Sequence, residues 1–392
     1  MSFSVENNIN EQVKNIEISG IRQFFNRVQQ FPEAVQLTLG QPDFQTPEHI
    51  KQAAIKAIEN NLTTYTPNAG TVDLRNEAVK WAEKRFGMEY DAADEVIVTV
   101  GASQAIDVTM RTILNPGDEV IIPAPVYPAY EPIIKQCGAY PVLIDTTETN
   151  FKLTETQLKK ALTSRTKAVM LPYPSNPTGV TLTDEELERL HHILKDLDIF
   201  VVADEIYGEL RYNGRHKSMA VMPGMKTKTI VISGLSKSHS MTGWRIGFLF
   251  ADKSIAAHLI KVHQYNVSCA SSISQAAALE ALRHGAEDPE IMKQEYDRRR
   301  IWMLAKLKEI GIPAVAPEGA FYIFPDISAS GLSSFEFSLK LLEEEKLAVV
   351  PGTAFSIYGE GYVRLSYAYA MDELKEAMRR LEIFWGKKAG HV

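Results

Sequence analysis

The 392-residue sequence is poor in the features that mark several protein classes. It has two cysteines, Cys137 and Cys269. Two in so long a chain make no disulfide framework, and they lack metal-ligand spacing. Both read as buried or inert thiols. No uninterrupted apolar run is long enough to span a bilayer. The opening residues, Met1 to Asn7, lack a basic region followed by an apolar stretch, so no secretory signal is expected and a reducing cytoplasm is the default. There is no long Lys/Arg run, and the net charge is -7, which argues against nucleic acid as a partner. Internal repeats, low-complexity segments, a Walker loop and the Gly-rich dinucleotide fingerprint are also missing.

What is present is an ordinary globular composition, 45% hydrophobic and 23% charged, with ample chain for a core. Short apolar, β-branched runs recur at 95–100, 119–122, 167–171, 199–203 and 229–233. They read as buried strands of a mostly parallel sheet. Helical patterns lie between them; Thr183-Asp184-Glu185-Glu186 opens one with a capping signature ahead of Leu187, Leu190 and Ile193. This alternation predicts an α/β architecture with a doubly wound sheet. The last hundred residues differ. A charged helix near 289–310, short strands near 321–324 and 362–365, and a helix near 372–384 predict a smaller α+β domain. The segment before Thr46 has no strand-helix unit of its own and is expected to pack on that domain.

Ligands of open parallel sheets gather at strand carboxyl ends. After the first run, Gly101-Ala102-Ser103-Gln104-Ala105 opens a helix. Its free N–H groups suit an anion, Ser103 and Gln104 can add donors, and a plain N-cap is the ordinary alternative. After the second run, Tyr127 sits in a Pro-rich turn, where it either packs or stacks on a planar ring. After the third, Pro172-Tyr173-Pro174-Ser175-Asn176-Pro177-Thr178-Gly179 fixes an unusual backbone; Asn176 can donate to a ring oxygen or close an Asx-turn. After the fourth, Asp204 ends a buried apolar strand and needs a cationic or hydrogen-bonding partner, unless it caps a helix.

The fifth run leads into the most specific stretch, Ser233 to Gly247. Lys237 follows small residues at a strand end where no partner carboxylate is evident, so it can be held neutral and act as a nucleophile. Arg245, eight positions later, suits a phosphate dianion. His239 reads as a satisfied structural histidine.

Gly234 to Gly247 resembles the lysine signature of class I/II aminotransferases, the fold-type-I enzymes that use pyridoxal 5′-phosphate. The other strand-end motifs occur in that family's order over nearly the full chain. The resemblance implies a large domain at 47–285 with a mostly parallel seven-stranded sheet, and a smaller α+β domain formed by 1–46 with 286–392. It implies that Lys237 holds the cofactor as a Schiff base and shuttles the Cα proton. Asp204 would pair with the pyridine nitrogen, while Tyr207 and Asn176 bond the phenolic oxygen and Tyr127 stacks on the ring. Ala102, Ser103, Gln104, Ser236 and Arg245 would hold the phosphate. In some members a serine three residues before the lysine contacts the phosphate; here that position is Gly234, leaving Ser236 or Ser233 to substitute. Tyr65 matches a tyrosine that reaches the phosphate of the neighbouring subunit, implying a homodimer. Arg364 matches the arginine that binds the substrate α-carboxylate as a fork, with Asn176 and the backbone at Gly40 beside it.

Three stretches bear on substrate: 18–22, 236–240 and 263–272. They resemble bacterial aminotransferases that act on N-acetyl-LL-diaminopimelate in lysine biosynthesis, which implies 2-oxoglutarate as amino acceptor. Arg22 either meets a distal carboxylate or is a solvated helix charge. Aspartate or aromatic aminotransferases, and a carbon–sulfur lyase on the same fold, are the alternatives.

Overall fold

The computed structural model describes residues 5–14, 16 and 20–389. Twelve strands form three sheets among the described residues. In chain order they are β1 Val35–Gln36, β2 Val96–Thr99, β3 Glu119–Ala124, β4 Tyr140–Asp145, β5 Thr166–Leu171, β6 Phe200–Asp204, β7 Thr229–Gly234, β8 Gly247–Phe250, β9 Tyr322–Ile323, β10 Leu347–Ala348, β11 Val350–Pro351 and β12 Val363–Ser366. The central sheet has seven strands in the order β2-β8-β7-β6-β5-β3-β4. Only β8 runs antiparallel to its neighbours.

Both faces of this sheet are covered, which is why its strands read as continuous apolar runs. Side chains alternate between the faces with the period of two that a strand imposes. Ile97, Ile122, Ile230, Ile232 and Leu249 pack into one core, with the helix Gly101–Ile113. Val96, Val98, Val231, Phe248 and Phe250 pack into the other, with Leu74, Trp81 and Ala278. Thr183 and Glu186 form the expected reciprocal capping box at the start of the helix Asp184–Leu194.

Two strands of the central sheet escape the sequence pattern. β4 is the sheet edge; its ends are exposed and it carries Pro141, so its alternation is blunted. β8 is four residues long and begins with glycine.

The long C-terminal helices occupy Asp288–Glu309 and Met371–Ala389, close to expectation. Near them β11, β12 and β9 form an antiparallel sheet. The N-terminal segment joins this region: β1 pairs in parallel with β10, and Phe24 and Val28 pack with Leu342 and Ala348.

Candidate active site

The carboxyl ends of β2, β3, β5, β6 and β7 face a cavity of about 310 Å³. β8 runs the other way, so its first residue returns to the same edge, and Arg245 just before it lines the cavity. From the sequence-predicted set, Gly40, Ala102, Ser103, Tyr127, Asn176, Asp204, Tyr207, Ser236, Lys237, Arg245 and Arg364 all line this space.

One wall is built for an anion. The helix Gly101–Ile113 begins after Val100 with no side-chain cap, so its first N–H groups are left without a capping partner. Gly101 has φ +72°, and a Cβ there would lie 2.5 Å from Arg245 Nη2. A Cβ on Gly247 would lie 2.7 Å from the Gly101 carbonyl carbon and 2.8 Å from Ala102 N. Only glycines let helix end, strand and guanidinium converge this closely. Arg245 itself has φ +51°, a conformation rare for a residue with a side chain, and its Nη1 donates to Thr242 O at 2.9 Å. A helix N-terminus beside a guanidinium favours a dianion.

The floor carries Asp204 and Lys237. Asp204 is buried at the end of β6; Tyr130 Oη donates to its Oδ2 at 2.7 Å and the Ile206 N–H to its Oδ1 at 3.3 Å. Burial raises its carboxyl to about 6 despite these hydrogen bonds. Lys237 Nζ donates to Gly40 O at 2.7 Å and lies 5.9 Å above the Tyr207 ring. Burial, with repulsion from Arg245 and Arg364, lowers its amine to about 8.

The opposite wall holds Arg364, 2% exposed on β12. Its Nη1 donates to Asn176 Oδ1 at 2.9 Å and its Nη2 to Thr38 O at 2.5 Å. The guanidinium lies over the Tyr322 ring at 4.5 Å and near Phe355 at 5.0 Å. Its Nε is buried without a hydrogen-bond partner among the described residues. Burial lowers its pKa. Tyr207 Oη and Tyr322 Oη are 2.7 Å apart, and burial raises both phenols.

Other residues singled out in the sequence lie away from the cavity, or occupy only one of the two places open to them. Gln104 does not line the cavity: its Oε1 accepts from Val100 N at 2.7 Å, and its Nε2 donates to His263 Nδ1 at 3.2 Å and Asn266 Oδ1 at 3.1 Å. Ser233 is enclosed within β7, and Ser236 is the serine at the cavity. Gly234 sits opposite Gly247 in the β7–β8 ladder, where a Cβ would come within 3.0 Å of Gly247 Cα. Tyr65 is 89% exposed and away from this chain's cavity. The Arg22 side chain lies outside the described residues. His239 is a buried neutral histidine between Ser238 Oγ and Gly285 O, its pKa lowered by burial to about 4. Thr38, Tyr130 and Tyr322 have no role that their local sequence announces. A tyrosine in the buried 321–324 strand was the available signal, since an enclosed phenol needs a partner.

An uncapped helix start beside a guanidinium, a lysine with lowered pKa and a second guanidinium with a free donor converge on one cavity, an arrangement that suits an enzyme binding a phosphate-bearing group and a carboxylate together. The chain belongs to the aminotransferase class I and II family, whose model matches residues 32–381. It is 56% identical over 384 residues to a Bacillus subtilis (strain 168) protein named probable N-acetyl-LL-diaminopimelate aminotransferase, covering 98% of this chain and 97% of that one. It is 41% identical to an aspartate aminotransferase of Pyrococcus abyssi, over 95% of this chain and 97% of the relative. The crystal structure of the aromatic aminotransferase from Pyrococcus horikoshii superposes with a TM-score of 0.88 at 40% identity, covering 93% of this chain and 99% of that one. The enzyme is therefore an aminotransferase, and its family depends on pyridoxal 5′-phosphate.

The residues fit that cofactor. Gly101 and Gly247 let the uncapped helix start and Arg245 come together at the cavity, a set of donors that suits the cofactor's phosphate. Asp204 is a buried carboxylate whose partners, a phenol and an amide, are both neutral, so it suits a protonated ring nitrogen. No helix among the described residues is long and apolar enough to cross a membrane.

Proposed function

We propose that this enzyme transfers an amino group between N-acetyl-LL-diaminopimelate and 2-oxoglutarate in lysine biosynthesis, working as a homodimer. The observation that carries the chemistry is Arg364: a buried fork with a free Nε, facing an amine of lowered pKa across one cavity. The substrate assignment rests on the Bacillus subtilis relative and on the stretches 18–22, 236–240 and 263–272.

In this reading the N–H groups of Ala102, Ser103 and Gln104, with Ser236, Arg245 and Tyr65 of the partner subunit, would hold the phosphate. Tyr127 would stack on the ring. Asp204 would keep the ring nitrogen protonated, and Asn176 and Tyr207 would bond the ring oxygen. When bound, pyridoxal phosphate supplies an electron sink for the pair released at the substrate Cα. Arg364 receives the α-carboxylate as a fork, with Asn176 and Gly40 beside it, and so aims the Cα hydrogen at Lys237. Lys237 Nζ, its pKa lowered to about 8 by burial so that the free amine is accessible near neutral pH, accepts that proton as general base and later returns it as general acid. The first oxo acid leaves before the second enters, which gives ping-pong kinetics. The division into 47–285, and 1–46 with 286–392, places Lys237 on one body and Arg364 on the other.

A panel of amino acids and N-acylated diamino acids, assayed with 2-oxoglutarate, tests the assignment. The highest kcat/KM is expected for N-acetyl-LL-diaminopimelate. Preference for aspartate or aromatic donors would replace it with the activity of the more distant relatives, and turnover without any oxo acid would indicate a lyase.

A further inference from the structure

Residues 37–47 form neither helix nor strand, yet they supply two backbone acceptors to the site. Thr38 O accepts from Arg364 and Gly40 O accepts from Lys237. The segment's start is anchored by backbone hydrogen bonds of Leu37 to Ala348 O and from Ser366 N–H, and by Leu39 N–H donating to Tyr369 Oη at 3.1 Å; beyond Gly40 it is only as well placed as the side chains that grip it. At its far end the Thr46 hydroxyl donates to Ser240 O at 2.6 Å and accepts from Trp244 Nε1 at 3.0 Å. Between these points the strap has one charged residue, Asp43.

Asp43 meets Arg299, which stands on the helix Asp288–Glu309, 256 positions away in sequence. Arg299 Nη1 donates to both carboxylate oxygens at 2.9 Å, and Nε donates to Glu295 Oε1 at 2.8 Å. The guanidinium is 6% exposed and lies 5.5 Å from the Phe44 ring and 5.6 Å from the Tyr296 ring. Aromatic faces and a second carboxylate thus fix its plane and leave it little freedom. Gly40 is three residues from Asp43, at most about 11 Å of extended chain, so a shift of Asp43 is felt at Gly40.

We propose that Arg299 is a positioning residue of the active site: through Asp43 it fixes the strap whose Thr38 carbonyl holds Arg364. The proposal rests on the reading that Arg364 takes the substrate carboxylate and Lys237 the Cα proton. A loosened strap leaves the cofactor's own contacts intact but lets the carboxylate fork drift.

The test uses the cofactor-loaded enzyme carrying Arg299→Lys, Asp43→Asn or both. Lysine keeps the charge and loses the planar contacts; asparagine keeps the shape and loses the charge. KM for both amino donor and oxo acid should rise roughly tenfold, a modest misplacement on the scale of positioning effects, with kcat changed less than about threefold. The cofactor's visible absorption should match wild type. The double variant should be no worse than the worse single one, because the two residues act as a unit. A lowered melting temperature with wild-type KM values would make the pair a structural staple and overturn the proposal. So would additive effects in the double variant. If one substitution prevents folding, the other still gives the KM readout, and Asp43→Glu provides a third. Arg364→Lys is the control: if it raises KM while Arg299→Lys and Asp43→Asn do not, only the strap proposal fails, and if it leaves KM unchanged the reading of Arg364 itself fails.

Discussion

Arg364 is enclosed, stacked on a tyrosine and short of one partner. A lysine ammonium has three donors but no planar fork, so at this position it cannot offer an incoming carboxylate the paired geometry while holding Asn176 and Thr38. Arg364→Lys is expected to weaken substrate carboxylate binding by roughly 1.5–3 kcal/mol, the scale of a hydrogen bond to a charged group. Steady-state kcat/KM for the amino donor measures this, and a wild-type value would remove Arg364 from substrate recognition. Asp204 gives a pH signature. Burial raises its folded pKa from 3.8 to about 6, so the cofactor-free protein binds a proton there more tightly than the unfolded chain does. That contribution is complete below about pH 4 and is lost as pH rises through about 6; it amounts to about 3 kcal/mol. Asp204→Asn removes the titration. The stability of cofactor-free wild type relative to Asp204→Asn should therefore fall between these pH values in thermal melts. A flat difference would mean that the carboxylate is already paired.

At the scale of elements, much of the site was legible because strand ends are legible. Asp204 and Lys237 each follow an apolar run, and a charged residue there is conspicuous. Arg245 was legible by spacing from Lys237, and the turn back into β8 that delivers it was not. Arg364 and Tyr65 carried no local signal and were seen only through family resemblance. Gln104 shows where sequence is ambiguous: a helix-opening motif offers both amides and side chains to a ligand, and here the Gln104 side chain braces the helix start instead. Thr38 was invisible because its relevance arises only when segments 326 positions apart close on one another, and Tyr322 offered no more than a phenol in a buried strand. The glycine convergence yields a further expectation. Gly247→Ala would force a methyl against Gly101 and Ala102, an overpacking of about 1–3 kcal/mol. Cofactor titration should show the phosphate cradle weakened at least tenfold, about 1.4 kcal/mol. Wild-type affinity would show that the helix start tolerates displacement.

At the scale of the molecule, Tyr65 is exposed at 89%, with Tyr265 at 87% and Leu62 at 54%. Large apolar side chains left open to water fit a surface that a second copy covers. Sedimentation should show a dimer. Tyr65→Phe should loosen cofactor retention about fivefold, the scale of one hydrogen bond. A fully active monomer would refute the shared site.

Lys237 is the residue on which the proposed chemistry turns. Borohydride reduction of the enzyme loaded with pyridoxal phosphate, followed by proteolysis and mass spectrometry, locates the lysine that bears the cofactor. The account requires the pyridoxyl group on Lys237, with neither label nor turnover in Lys237→Ala. Label on another lysine, or a Lys237→Ala protein that still transaminates, would contradict it.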